Sequence, residues 1–292
     1  MNIILFDDHL QSQFLPLTFT RPIAELRFGI LTLKEKWELV AKSKVSFKTQ
    51  SYLSKKYPEH KSSSNTYINA RYVASSSLLE EIRDLKQGEV IKHGDIVLAY
   101  HLAQDQSLNV SELIEIQASS RLDYICHHTD LFSKNHKAIT DDFLLLTHGR
   151  ISEPIPDAVT AFNADQIFIE KGAKLYNATL NATEGPIYIG KDTEVMENCA
   201  VRGPFALCDK STLKMGSKMY TGTTIGPNSK VGGEINNSMI LGYSSKGHDG
   251  YLGNSVLGEW CNLGADTNTS NLKNNYASVR LWDYDTEKFK DT

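Results

Sequence analysis

No run of apolar residues in this 292-residue sequence approaches the roughly 20 that a membrane helix needs, so no spanning segment is expected. A basic excess is also missing. The 31 Lys and Arg stand against 35 Asp and Glu, a formal charge of -4, which leaves little to neutralise nucleic-acid phosphates. The opening MNIILFDDHL has no basic leader and meets two aspartates after its apolar residues, so it does not read as a signal peptide. Cysteine is scarce. Cys126, Cys199, Cys208 and Cys261 lie far apart without a CxxC pair, which predicts thiols of a cytoplasmic protein rather than a disulfide framework. The remainder, 40% hydrophobic and 23% charged, is ordinary globular composition, and the length suits two domains.

A repeat dominates the second half. From Ile189 an aliphatic residue or methionine recurs at every sixth position, through Val195, Val201, Leu207, Leu213, Met219, Ile225 and Val231. A period of six fits neither an amphipathic helix nor a simple strand. It fits a triangular coil of three short strands, each sending one aliphatic side chain inward and turning at small residues such as Gly190 and Gly226. A parallel β-helix is therefore expected from about Gly185 to Asn271. The register stops near Gly232-Gly233 and resumes at Leu257-Gly258 and Leu263-Gly264, as an inserted loop would make it do.

The first half alternates strand-like and helix-like runs. Asn2 to Phe6, Tyr67-Ile68 and Ile96 to Tyr100 read as strands. Thr32 to Ala41, with Leu33, Trp37 and Val40 on one face, and Leu78 to Leu85 read as helices. Polar Ser54 to Ser64 is a loop or a solvated helix. This alternation predicts an α/β sheet. Pro154 and Pro156 mark a boundary, giving an α/β domain over 1–158 and a β-helix over 159–292.

Two stretches carry a family resemblance. Leu15-Pro16-Leu17-Thr18-Phe19-Thr20-Arg21-Pro22 resembles the P-L-T-x-x-R-P stretch of sugar-1-phosphate nucleotidyltransferases. Gly247-His248-Asp249-Gly250-Tyr251-Leu252-Gly253-Asn254 resembles the G-H-x-x-Y-x-G-D segment of glucosamine-1-phosphate acetyltransferase domains, with Asn254 in place of the aspartate. Together they resemble a divergent form of the bifunctional N-acetylglucosamine-1-phosphate uridyltransferase/glucosamine-1-phosphate acetyltransferase family. The resemblance implies a nucleotidyltransferase-like α/β domain followed by a left-handed parallel β-helix that forms a homotrimer. It also implies a sugar-1-phosphate and a nucleoside triphosphate (UTP) as substrates, with Mg²⁺ and acetyl-CoA.

Residue by residue, the resemblance makes His248 the general base for the glucosamine-1-phosphate amine, since a histidine titrates near neutrality. Asp249 is placed to orient its ring. Tyr251, Asn262 and Asn271 fall at substrate-binding positions and Ala265 at a coenzyme position. Lys214, Lys218, Lys230 and Lys246 offer cations for the sugar phosphate, Lys246 first among them, or else are solvated lysines on the coil surface. In the first domain Thr20, Arg21 and Asn69 are assigned to the nucleotide and Asp7 and Asp8 to Mg²⁺. Arg21 is open to a second reading as a structural ion-pair partner.

The departures from the family are specific. Its glycine-rich G-x-G-T-R loop is replaced by Phe6-Asp7-Asp8-His9-Leu10-Gln11-Ser12-Gln13-Phe14, which has no glycine. The lysine after the R-P pair is absent, and Asn69-Ala70-Arg71 stands where the family has a metal-binding G-D. Cys126-His127-His128 is not expected to bind metal, because adjacent side chains rarely converge. The chain reaches Thr292 before the family's further coils, so the β-helix reads as C-terminally shortened. Two rivals stay open: a nucleotidyltransferase whose β-helix only trimerises or regulates it, and a non-catalytic scaffold.

Overall fold

The computed structural model describes residues 1–291 apart from 105, 107, 108 and 110–112. It divides into two compact units, one of Met1–Leu26, Leu31–His128 and Asp283–Lys288, the other of Arg27–Ile30, Thr129–Trp282 and Phe289–Thr292.

The first unit is an α/β sheet. Its elements are β1 (Asn2–Phe6), α1 (Leu33–Ala41), β2 (Val45–Lys48), β3 (Ser64–Asn69), α2 (Ser76–Arg83), β4 (Glu89–His93), β5 (Ile96–Ala103) and β6 (Ile114–Gln117). The strand order is β2-β1-β3-β5-β4-β6. β1 is parallel to β2 and β3, whereas β5 runs antiparallel to β3 and β4. Ile3, Ile4 and Leu5 are all essentially inaccessible, as a central parallel strand covered on both faces requires.

Local chemistry sets the helix ends. Thr32 Oγ1 accepts from Glu35 N at 3.1 Å, and Glu35 Oε2 accepts from Thr32 N at 2.7 Å, a reciprocal cap at the start of α1. Leu33 and Trp37 then face the core, and the Trp37 indole donates to Tyr72 O at 2.9 Å. Ser75 Oγ caps α2 by accepting from Leu78 N. The polar stretch before β3 is a loop.

The second unit is a parallel β-solenoid of three sheets with six, five and six strands. Each strand sends one or two side chains inward, as Ile187 and Ile189 do from one strand and Val195 from the next, so the core is a set of columns. Ile169, Ile189, Leu207, Ile225, Ile240 and Leu257 form one by register. Fully burying such a side chain is worth roughly 1.5–3 kcal/mol, and stacking repeats the gain at every coil. Pairing begins at Thr160–Phe162, earlier than the hexapeptide period suggested. The reason is coil length. Ile169 to Ile189 spans 20 residues where the next two coils take 18 each, so the first turns fall outside the period.

The break near Gly232-Gly233 is a contraction, not an inserted loop: Val231 pairs with Lys246, 15 residues on, where Leu213 and Val231 are 18 apart. Lys246 is also not a solvated surface lysine. It takes the inward place after Leu175, Val195, Leu213 and Val231 in their column and is 1% exposed.

Two helices, α3 (Asp130–Ser133) and α4 (Asn135–Thr147), belong to this unit with the short segment Arg27–Ile30. Asn135 ties them together. Its Oδ1 accepts from Gly29 N at 2.9 Å, and its Nδ2 donates to Gly222 O at 2.8 Å and Thr224 Oγ1 at 3.0 Å. Asp142 Oδ2 accepts from Ile30 N at 2.8 Å. One solenoid corner is turned at Asp192, Lys210, Asn228, Tyr243 and Trp260, all at positive φ. The last two are bulky residues in a region that such side chains rarely adopt, and their rings stack at 4.9 Å.

Candidate functional site

In an open parallel sheet the natural ligand site lies past the carboxyl ends of adjacent strands whose onward connections leave in opposite directions. The order β2-β1-β3 makes such a point. From β1 the chain crosses by α1 to β2 on one flank, while β3 on the other flank leads through α2 to β4. Phe6 pairs with Asn69 at the ends of β1 and β3, so residues 7–8 and 70–71 border the crevice.

Asp8 and Arg71 each stand two residues beyond that pair and meet across it. Arg71 Nη2 lies 2.6 Å from Asp8 Oδ2, and Nε lies 3.1 Å from Oδ1 and 3.0 Å from Oδ2. Arg71 is wholly buried, and its Nη1 also donates to Ile125 O at 3.1 Å and lies 3.4 Å from Cys126 Sγ. Asn69 Nδ2 donates to Asp8 Oδ2 at 2.9 Å and to Val97 O at 3.1 Å, while its Oδ1 accepts from Arg71 N. Burial alone would raise the Asp8 pKa. The hydrogen bonds and charge of Arg71, with the Asn69 amide, outweigh it and hold the carboxyl below its ordinary value.

Asp7 has the opposite environment. Its Oδ1 accepts from Ile23 N at 2.9 Å and its Oδ2 from Thr49 Oγ1 at 2.5 Å, with no cation beside it among the described partners. Burial pushes its pKa up to about 6 against those two hydrogen bonds, and the Asp8 charge adds to the rise. Two neighbouring carboxylates are thus driven apart in acidity by their different partners. Thr20 is exposed and Arg21 half-buried on the turn that Ile23 fastens to Asp7.

Where the glycine-rich loop was missing, the chain forms a 3-10 turn, His9–Phe14. Asp8 Oδ1 caps it by accepting from Leu10 N at 3.1 Å. Gln11 and Thr18 exchange side-chain to backbone bonds, and His128 holds Gln13 O through its backbone N–H. The turn is therefore fixed without glycine.

The solenoid residues gather on its last coils. Lys246 Nζ donates to Gly232 O at 3.1 Å and to His248 O at 2.7 Å, pinning the turn that carries His248. Burial lowers the Lys246 pKa, with the Asp249 charge opposing. The His248 imidazole is exposed and makes no hydrogen bond among the described residues, so Asp249 does not hold it. Tyr251 and Asn271 do come together: Asn271 Nδ2 donates to the Tyr251 phenol oxygen at 2.6 Å, and Asn236 Nδ2 lies 3.4 Å from it. Asn262 pairs with Ser245 on the coil below, and Ala265 is exposed three residues beyond it.

Comparison with known families decides the first half of the chain. Residues 3–151, just over half the chain, match the sugar nucleotidyl transferase family. The chain belongs to that family. No curated protein matches it.

Membership of a sugar nucleotidyl transferase family implies a sugar phosphate and a nucleoside triphosphate as substrates. At the β1/β3 crevice, sequence reasoning chose Asp7, Asp8 and Asn69 and missed Arg71 and Thr49. The signal for Arg71 was an arginine at the same offset past β3 as Asp8 past β1, legible only once the two strands are known to pair. Among the described residues no three His, Cys, Asp or Glu side chains converge as a ready metal cage, and no helix is long and apolar enough to cross a membrane.

Proposed function

We infer that this sugar nucleotidyl transferase joins UTP to N-acetylglucosamine-1-phosphate in the β1/β3 crevice, yielding UDP-N-acetylglucosamine. An oxygen of the sugar phosphate attacks the α-phosphorus of UTP. The new P–O bond forms as the bond to the β-phosphate oxygen breaks, and pyrophosphate leaves. The observation that carries this reading is Asp7, a carboxylate held at the switch point by Ile23 N and Thr49 Oγ1 with no cation beside it among its described partners. The choice of base and sugar rests on the resemblance of the Leu15 to Pro22 stretch.

The two aspartates differ as metal ligands. Both Asp8 oxygens are taken by the Arg71 fork and the Asn69 amide, so a cation there would have to displace a guanidinium. Each Asp7 oxygen accepts one bond and keeps a lone pair. Mg²⁺ commonly sits on one or two carboxylates plus substrate phosphates, which fits Asp7 as its protein ligand. When bound it would neutralise charge on the triphosphate. Arg21 and Thr20 would contact the phosphates from the neighbouring turn, while Asn69 and Arg71 hold Asp8 and the 3-10 turn in position.

A second activity has its own support. The bond between Tyr251 and Asn271, beside the pinned His248 turn, gathers polar groups at one end of the solenoid. There His248 would take the proton of the glucosamine-1-phosphate amine as its nitrogen bonds to the acetyl carbon, the thioester C–S bond breaks and coenzyme A leaves, with Asn262 and Ala265 contributing from the next coil. The solenoid would assemble as a trimer, in the cytoplasm.

Titration calorimetry with UTP and with UDP-N-acetylglucosamine, each with and without Mg²⁺, tests the first reading. Metal-dependent binding that Arg21→Ala weakens about tenfold or more is expected, the range for loss of a charged hydrogen bond. Binding of neither nucleotide would remove the assignment of this site. Acetyl transfer that survives His248→Ala unchanged would remove the second activity.

A further inference from the structure

The crevice loop is not bare. The turn at Asp283–Lys288 belongs to the same compact unit as the 3-10 turn, 273 residues earlier in the chain. Asp285 Oδ2 there accepts two hydrogen bonds, from Ser12 Oγ at 2.7 Å and Gln13 Nε2 at 2.9 Å. Beside them the Tyr284 ring meets Phe19 edge-on, with centroids 5.3 Å apart. Ser12 and Gln13 stand on the 3-10 turn that directly follows Asp8 at the end of β1. They aim two donors at one carboxylate oxygen, and a phosphate oxygen makes the same demand on donors as a carboxylate oxygen does.

We propose that Ser12 and Gln13 form an anion subsite for the nucleotide phosphates, and that Asp285 occupies it as a displaceable internal stand-in. The proposal rests on the nucleotide reading of the β1/β3 crevice. Three features fit an occupant that leaves rather than a permanent clasp. The contact is exposed, so its hydrogen bonds are solvent-competed and individually weak. The turn that carries the donors is held independently of it, because Gln13 O is bonded to His128 and Gln11 to Thr18. The Asp285 turn also keeps its own shape, since Asp283 Oδ1 accepts from Thr286 N at 2.8 Å and Thr286 Oγ1 at 2.6 Å. A triphosphate arriving at Ser12 and Gln13 brings like charge to Asp285 and repels it. Part of the nucleotide's affinity is then spent on opening the contact, and its apparent Kd rises by the inverse of the open fraction.

The test uses the full chain, its Asp285→Ala variant and Mg-UTP as the probe. Calorimetry should show Asp285→Ala binding about fivefold tighter, the effect of a subsite left open about one fifth of the time. Tyr284→Ala, which loses only the ring contact, should shift affinity the same way by less. In the wild-type chain, amide exchange at residues 283–288 should speed up when Mg-UTP saturates the site. Equal or weaker binding by Asp285→Ala, or unchanged protection at 283–288 under saturation, overturns the stand-in role while leaving the nucleotide site intact. Absence of binding by both proteins overturns the nucleotide reading and this inference with it.

Discussion

Replacing Asp7 by asparagine isolates the strain at the crevice, because the two side chains have the same shape and differ in charge. In the folded chain burial lifts the Asp7 pKa from 3.8 to about 6. A rise of that size corresponds to about 3 kcal/mol favouring the protonated form. The sign follows from proton counts. Between about pH 4 and pH 6 the folded chain holds a proton that the unfolded chain has released, so stability falls as pH rises through that window. Above it the loss is complete. Asp8 contributes in the opposite direction at lower pH, but it is present in both proteins and cancels in the comparison. Wild type and Asp7→Asn should therefore be close at pH 4, and the variant should gain up to about 3 kcal/mol relative to wild type by pH 8. Urea unfolding followed by the fluorescence of buried Trp37, which belongs to the same unit, measures this directly. A gap between the two proteins that stays constant from pH 4 to pH 8 would refute the reasoning. The same variant should lose nucleotidyl transfer, since a destabilising group that improves folding when removed is the usual mark of a functional residue.

Other outcomes follow from the buried charges. Asp8→Asn leaves Arg71 buried without its counter-charge and should cost about 3–5 kcal/mol in the same urea assay, with Arg71→Met in the same chain recovering much of it. A loss under about 1 kcal/mol would mean that the fork is solvated. In the solenoid, Lys246→Ala opens a hole in an otherwise aliphatic column and should cost about 2–4 kcal/mol, whereas Lys246→Met refills it for less than about 1.5 kcal/mol. The lowered folded pKa of Lys246 also makes wild-type stability rise with pH from that value up to 10.5, and thermal melts of Lys246→Met should lack this rise.

The solenoid was legible because its period is written in single residues. Eight in-phase apolar positions need no knowledge of distant contacts, since each coil meets only the next. The α/β domain was legible in outline for a similar reason: the Thr32 and Glu35 cap and the apolar runs of β1 and β5 act within a few residues. Lys246 escaped the period because the shortened coil moved it from an apparent surface position to an inward one.

The candidate site was only half visible. Sequence alone chose Asp7 and Asp8 by their place after β1, and it chose the second half's architecture outright. It left the two aspartates equivalent. Tertiary structure separated them, by setting Arg71 against one and Thr49 and Ile23 against the other. It likewise brought Asp285 to Ser12 and Gln13 across 273 and 272 residues. The physical reason is common to both. Periodicity and capping are local and survive in the sequence as spacing. The acidity of a carboxylate and the occupancy of a pair of donors depend on which distant groups the fold brings within 3 Å, and that is fixed only by strand register and chain return.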